Sequence, residues 1–244
     1  MPDKNNVQTG HVLSLKTEYN HLEKTIEWKQ ERIGKFTSSE IHKILQKGRA
    51  KDKYFGDGAM TYIQMKAAEL LTNLPAGPDI SGLAAIEWGN AQEPDAVAAF
   101  EARYNLKVEY FGKANPFFFH YSEYAGGSPD GMISADAGLE IKAPYNSAEH
   151  ISHLLIKDAA ELYAEIPKYY WQCMANMLFT GAKHWYFVSY DPRFAIAEFQ
   201  LKVIEIPYNE AHLKELAERI TRAETELTNM VRTLAELVAV PANI

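Results

Sequence analysis

From Leu213 onward, Leu216, Ile220, Ala223, Leu227, Met230, Leu234 and Leu237 recur at alternating steps of three and four residues. Such a recurrence keeps every side chain on one stripe of an α-helix. The spacing therefore predicts one long amphipathic helix over about 208–240, with a seam that suits either its own domain or a neighbouring subunit. Upstream, Met60, Ile63, Ala67, Leu70 and Leu71 define another helical face, broken at Asn73-Leu74-Pro75-Ala76-Gly77-Pro78. Helical patterns also cover about Glu18 to Arg32, stopped by Gly34, and about Gly82 to Tyr104, with a bend near Gly89 and Pro94. Thr37-Ser38-Ser39-Glu40 has capping-box spacing and predicts a helix through about Gln46. Beyond Leu106 the pattern shortens into β-like runs, at 106–111, 117–121, 131–134 and 138–142. Helices return at 147–156 and 168–179, and strands at 184–190 and 195–206. An order of helices, meander, helices and strands predicts an α/β fold with a mixed central β-sheet flanked by helices.

Composition narrows the class. A chain of 244 residues, 47% hydrophobic and 23% charged, has the balance of a globular protein with a sizeable core. The lone Cys173 excludes an intrachain disulfide, a four-thiolate zinc site and a cysteine-ligated iron–sulfur cluster. Met1-Pro2-Asp3-Lys4-Asn5-Asn6 is polar, and no apolar run reaches the ~20 residues that span a bilayer. A cytoplasmic protein without membrane contact is expected. The net charge of −7 argues against coating nucleic acid over the whole surface. It is unevenly spread, because residues 1–53 carry +4 and the remainder −11. Lys35, Lys43, Lys47, Arg49, Lys51 and Lys53 face only Glu40 and Asp52 nearby in sequence, a run that by itself reads as a solvated face.

The chemistry concentrates in Gly126-Gly127-Ser128-Pro129-Asp130-Gly131-Met132-Ile133 and Gly138-Leu139-Glu140-Ile141-Lys142. Two strands joined by a polar turn bring Asp130 beside Glu140. Strand alternation then puts Glu140 and Lys142 on one face while Ile141 points into the core. Paired carboxylates are a suitable oxygen site for Mg²⁺, which keeps several waters and is completed by substrate phosphate. Lys142 could orient or deprotonate an attacking water, or neutralise charge on phosphate oxygens. A bare Asp…Glu-x-Lys spacing is equally that of a charged surface hairpin. Proline and glycine holding the acid at a turn, and Leu139 and Ile141 bracketing Glu140, favour the site.

Together these residues resemble the Pro-Asp…(Asp/Glu)-x-Lys nuclease core. The blocks 28–40 (Trp28 to Glu40), Glu87-Trp88-Gly89-Asn90-Ala91-Gln92-Glu93 and 185–193 (Trp185 to Arg193) resemble, in order and spacing, the bacteriophage lambda exonuclease family, the YqaJ-type viral recombinases. The resemblance implies a restriction-endonuclease-like core in a single exonuclease domain. Its 5′-phosphate-binding helices would cover about 18–53, its catalytic core about 54–206 and its C-terminal helix about 208–240. It further implies that Asp130 and Glu140 bind metal with the backbone carbonyl of Ile141, that Glu93 helps bind a second ion, that Lys142 is the catalytic lysine and that Gln172 lies near the active site. Arg32 and Ser39 would grip the terminal 5′-phosphate, which agrees with the free amides of a helix start and the forked donors of arginine. The implied activity is Mg²⁺-dependent 5′-to-3′ digestion of linear double-stranded DNA, with two Mg²⁺ ions replaceable by Mn²⁺. Mononucleotides are released and a 3′ overhang is left for recombination. Also implied are a homotrimer ring, a single-strand annealing protein as partner, and a phage or prophage origin in the bacterial host cytoplasm. The chain departs from the pattern at Ser81-Gly82-Leu83-Ala84-Ala85-Ile86, where a family lysine is missing. Alternatives are a sequence-specific endonuclease of the same fold, a catalytically inactive DNA-end-binding module, and a helical interaction protein.

Overall fold

The computed structural model describes residues 27, 29–50, 53–77, 82–112 and 116–239. Most of the helix expected over Glu18–Arg32, Trp28 of the first motif block, Lys51, Asp52, Ser81 and the last position of the expected C-terminal helix lie outside them. In chain order the strands are β1 (Phe36–Thr37), β2 (Glu109–Tyr110), β3 (Phe119–His120), β4 (Ala125–Gly127), β5 (Gly131–Ser134), β6 (Ala137–Lys142), β7 (His184–Tyr190) and β8 (Leu201–Pro207). The helices are α1 (Asp57–Thr72), α2 (Ala84–Tyr104), α3 (Ser147–Leu155), α4 (Ala159–Glu165), α5 (Pro167–Thr180) and α6 (Glu210–Ala239), with 3-10 helices at Ser38–Leu45 and Ala197–Phe199.

The central sheet has the order β2-β5-β6-β7-β8; β6 and β7 run parallel and the other neighbours antiparallel. This is the expected mixed α/β architecture. Alternation along its strands sorts two cores onto its two faces. Trp185, Phe187, Ile204 and Ile206 join Phe36, Ile41, Ile63, Met174 and Met177 on the face covered by α1, α5 and α6. Leu139, Ile141, Val188 and Leu201 join Ala96, Val97 and Phe100 of α2 on the other. The proximal seam of α6 packs inward, with Leu213, Leu216, Ile220, Ala223 and Leu227 buried. Its distal Leu234 and Leu237 stay exposed, as does Leu71 of α1, contrary to the apolar face expected there. None of the described helices is long and apolar enough to cross a membrane.

Several local expectations are corrected. The capping box at Thr37 begins a 3-10 helix rather than an α-helix, and Thr37 makes no side-chain cap bond. Thr37 belongs to buried β1, where its hydroxyl meets Ser39 Oγ at 3.4 Å, and Glu40 is drawn to Lys43. The runs at 106–111 and 117–121 each contract to a two-residue strand, and the run at 195–206 divides into a 3-10 turn and β8. Strands β1 and β4 and helix α4 carry too little periodic apolar signal to be read in advance. They matter, because β1-β4-β3 is a second sheet that seats the 3-10 helix Ser38–Leu45.

Strand β4 is glycine-rich for a steric reason. A Cβ on Gly127 would stand 2.6 Å from Ser38 Oγ and 3.0 Å from Asn176 Oδ1. Gly127→Ala is expected to destabilise the protein by about 2 kcal/mol through overpacking, read as a lower urea midpoint at unchanged slope. An unchanged midpoint would show that the 3-10 helix yields freely.

Candidate active site

The site lies where β5 stops short of the end of β6. The ladder pairs Gly131 with Leu139, and Asp130 occupies the position just beyond. Ile141 therefore has no strand residue opposite it on that edge, and its amide donates to Asp130 Oδ2 at 2.6 Å. In an antiparallel ladder a residue's amide and carbonyl face the same neighbour, so the Ile141 carbonyl lies on this edge as well. The Ile141 side chain is buried against α2, as its alternation requires.

Glu140 faces the opposite side of the sheet, toward α5, and is 2% exposed. Its Oε1 accepts from Lys142 Nζ at 2.6 Å and from Gln172 Nε2 at 2.6 Å, and its Oε2 accepts from Asn176 Nδ2 at 3.0 Å. Gln172 and Asn176 are one turn apart and present their amides side by side. Gln172 thus falls in the site, and Asn176 is a member that sequence reading missed. The four-residue step from Gln172 to Asn176 was the available signal. Lys142 Nζ also lies 5.3 Å from the centre of the Tyr169 ring, within cation–π reach.

Glu93 reaches the same place from α2, and its Oε2 accepts from Tyr110 OH of β2 at 2.8 Å. Burial raises the Glu93 pKa, opposed by Tyr110 and Lys142 and reinforced by Glu140. The Asp130 pKa is raised well above its ordinary value, first by burial and then by the charges of Glu140 and Glu93. Burial would lower the Lys142 pKa, but Glu140 and Asp130 outweigh it and hold the ammonium above the ordinary lysine range. Three acids thus share one neighbouring lysine, an excess of negative charge that a divalent cation would relieve. Among the described residues, no three of His, Cys, Asp and Glu are placed to hold an ion by themselves. The oxygens available to one are carboxylates from separate elements together with the Ile141 carbonyl. Such a set suits Mg²⁺, which takes few protein ligands and completes its shell with water and phosphate. Tyr110→Phe removes the bond that orients Glu93. If Glu93 serves the reaction, kcat is expected to fall about fivefold, equivalent to one hydrogen bond of about 1 kcal/mol; an unchanged kcat would separate Tyr110 from the site.

Arg32 and Ser39 stand next to this centre. Arg32 Nη2 reaches Ser39 Oγ at 3.4 Å, and Ser39 is the second residue of the 3-10 helix that packs on α5. Burial lowers the Arg32 pKa, while Tyr62, Glu140 and Glu69 act in the opposite direction, which places the guanidinium within the field of Glu140. The turn after Arg32 is fixed by Glu69, whose Oε2 accepts from Gly34 N at 2.8 Å and from Lys66 Nζ at 2.8 Å. Glu69 and Lys66 are buried polar residues of α1 that periodicity could not single out from a solvated helix face. The basic run is less isolated than its sequence suggests: Lys47 lies 3.5 Å from Glu215 and Lys53 lies 3.8 Å from Asp57.

The model of the YqaJ-like viral recombinase domain matches residues 27–183. No curated protein matches the chain. Among solved structures, the alkaline exonuclease LHK-Exo from Laribacter hongkongensis superposes with a TM-score of 0.72 at 24% identity, covering 87% of this chain and 97% of that one. Its complex with dAMP gives a TM-score of 0.71 at 24% identity, with 87% and 97% covered. A phage-related exonuclease from Haemophilus somnus 129PT gives 0.65 at 15% identity, covering 82% of this chain and 96% of that one.

Proposed function

Because the chain belongs to the YqaJ-like viral recombinase family, we propose that it is a nuclease, a Mg²⁺-dependent exonuclease that degrades the 5′-ended strand of linear duplex DNA. The observation that carries the reading is the meeting of Asp130, Glu140, Lys142 and Glu93 at the end of β6, with Arg32 and Ser39 alongside. Asp130, Glu140, Glu93 and the Ile141 carbonyl would hold two divalent ions. The chemistry those ions supply is polarisation of the scissile phosphate and acidification of water. Lys142, kept charged by Glu140 and Asp130, orients the attacking water and neutralises charge growing on the phosphate oxygens. Gln172 and Asn176 fix the Glu140 carboxylate so that it need not reorganise during the reaction. Arg32 and Ser39 bind the terminal 5′-phosphate, which makes cleavage depend on an end. A homotrimer encircling the duplex and a single-strand annealing protein that receives the 3′ strand belong to the same reading. The similarity of the fold to the two exonucleases supports it.

The test uses linear duplex with 5′-phosphate or 5′-hydroxyl ends and closed circular duplex, with Mg²⁺ or with EDTA. Acid-soluble mononucleotides from linear DNA alone, abolished by EDTA and faster with 5′-phosphate, are expected. Cutting of the circle would make the protein an endonuclease, and end binding without nucleotide release would make it an inactive binding module. A monomer by sedimentation that nevertheless digests processively would overturn the ring.

A further inference from the structure

Arg193 lies outside the acid cluster, in the turn that follows β7, yet it ties together segments that deliver residues to that cluster. Its Nε donates to Asp191 Oδ1 at 2.7 Å and its Nη2 to Asp191 Oδ2 at 2.8 Å, a forked pair with a carboxylate that is fully buried. The remaining donors turn to the chain leaving β6: Nη1 to Tyr145 O at 3.0 Å and Nη2 to Pro144 O at 3.1 Å. The guanidinium Cζ also lies over the Trp88 ring of α2, 4.4 Å from its centre. Trp88 in turn meets the Tyr145 ring edge-on at 6.4 Å. Next to Trp88, Gly89 passes close to the strand exit, since a Cβ there would come 4.0 Å from Ala143 O.

The consequence is geometric. Helix α2 carries Glu93 little more than one turn beyond Trp88, and Pro144 follows Lys142 by two residues. The distance between Glu93 and the Glu140–Lys142 pair is therefore set where α2 crosses the end of β6, and Arg193 occupies that crossing. Lysine could supply the charge but neither the fork nor the flat face that stacks on indole. We propose that Arg193 is a positioning residue that clamps α2 to the end of β6 through Trp88, and so sets the spacing of Glu93 from Glu140 and Lys142. This rests on the nuclease reading given above.

Outer groups that orient metal ligands change metal affinity or activity by about 10- to 100-fold when removed. Two variants test the clamp, Arg193→Lys and Trp88→Leu; the second leaves the Arg193–Asp191 pair intact. Mn²⁺ binding is followed without DNA by the loss of the free-ion electron paramagnetic resonance signal, and thermal unfolding is measured on the same samples. For each folded variant, the Mn²⁺ dissociation constant is expected to rise about tenfold and kcat with Mg²⁺ to fall about tenfold, with KM for 5′-phosphorylated duplex ends within about twofold of wild type. Wild-type Mn²⁺ affinity and kcat in either folded variant would overturn the clamp while leaving the nuclease intact. The same holds if KM rises in step with the fall in kcat/KM, or if the loss only tracks the unfolded fraction. A wild-type protein that neither binds Mn²⁺ nor releases nucleotides would overturn both.

Discussion

Glu140→Gln is expected to lower kcat for nucleotide release by about a thousandfold, an increase of about 4 kcal/mol in the barrier. The side chain keeps its shape but loses its charge. In the wild type, Glu140 is buried and accepts from Lys142, Gln172 and Asn176. A carboxamide can accept through one oxygen only, so its NH₂ group would face one of these donors, and Lys142 would lose its nearest counter-ion. Divalent-ion binding and the placement of Lys142 are both damaged, which is why the effect should exceed that of removing Tyr110. Binding of 5′-phosphorylated ends should stay within severalfold of wild type, because Arg32 and Ser39 are untouched. Single-turnover digestion with saturating enzyme separates the two quantities. Near-wild-type release by a folded Glu140→Gln protein would remove Glu140 from the mechanism.

Arg32→Ala is expected to abolish the preference for 5′-phosphorylated over 5′-hydroxyl ends, by raising KM for the phosphorylated end about 10- to 100-fold and leaving the hydroxyl end nearly unchanged. Hydrogen bonds between charged partners contribute about 1.5–3 kcal/mol each, and the forked guanidinium can make two to one phosphate. The surroundings of Arg32 favour this reading. The residue is half-buried, reaches Ser39 Oγ at 3.4 Å, and is followed by a turn that Glu69 fixes through Gly34 N. Arg32→Lys should recover part of the preference, since a lysine keeps the charge but not the fork. The measurement is initial rate against DNA-end concentration for both end chemistries. A preference that survives in Arg32→Ala would move the phosphate site elsewhere, with the buried Lys66 ammonium of α1 the next cation to test.

The two sides of this molecule were legible to different degrees. The alternation Leu139-Glu140-Ile141-Lys142 sufficed to predict a strand with an acid and a lysine on one face, because period two follows from the backbone alone. The three-four spacing in α6 likewise predicted a helix, though its stripe is buried from Leu213 to Leu227 and exposed at Leu234 and Leu237, and strand β7 could be delimited at both ends, His184 and Tyr190. Such features are local: each is set by residues a few positions apart. Strand β4, by contrast, is Ala125-Gly126-Gly127, which carries almost no apolar pattern, and it exists because β1 and β3 pair with it and Ser38 and Phe118 leave no room for larger side chains. The helix expected at the Thr37 capping box became a 3-10 helix once Thr37 was committed to β1.

The same division runs through the site. The motif named Asp130, Glu140 and Lys142, and the family resemblance added Glu93, Arg32, Ser39 and Gln172, but only the folded chain decides that Asp130 caps the Ile141 amide, that Asn176 completes the hold on Glu140, and that Tyr110 steadies Glu93. Chemistry is chosen residue by residue and can be read in order along the chain. Distances between residues tens or hundreds of positions apart depend on how the sheet, α2 and α5 pack, and on which buried polar groups must find partners once water is excluded.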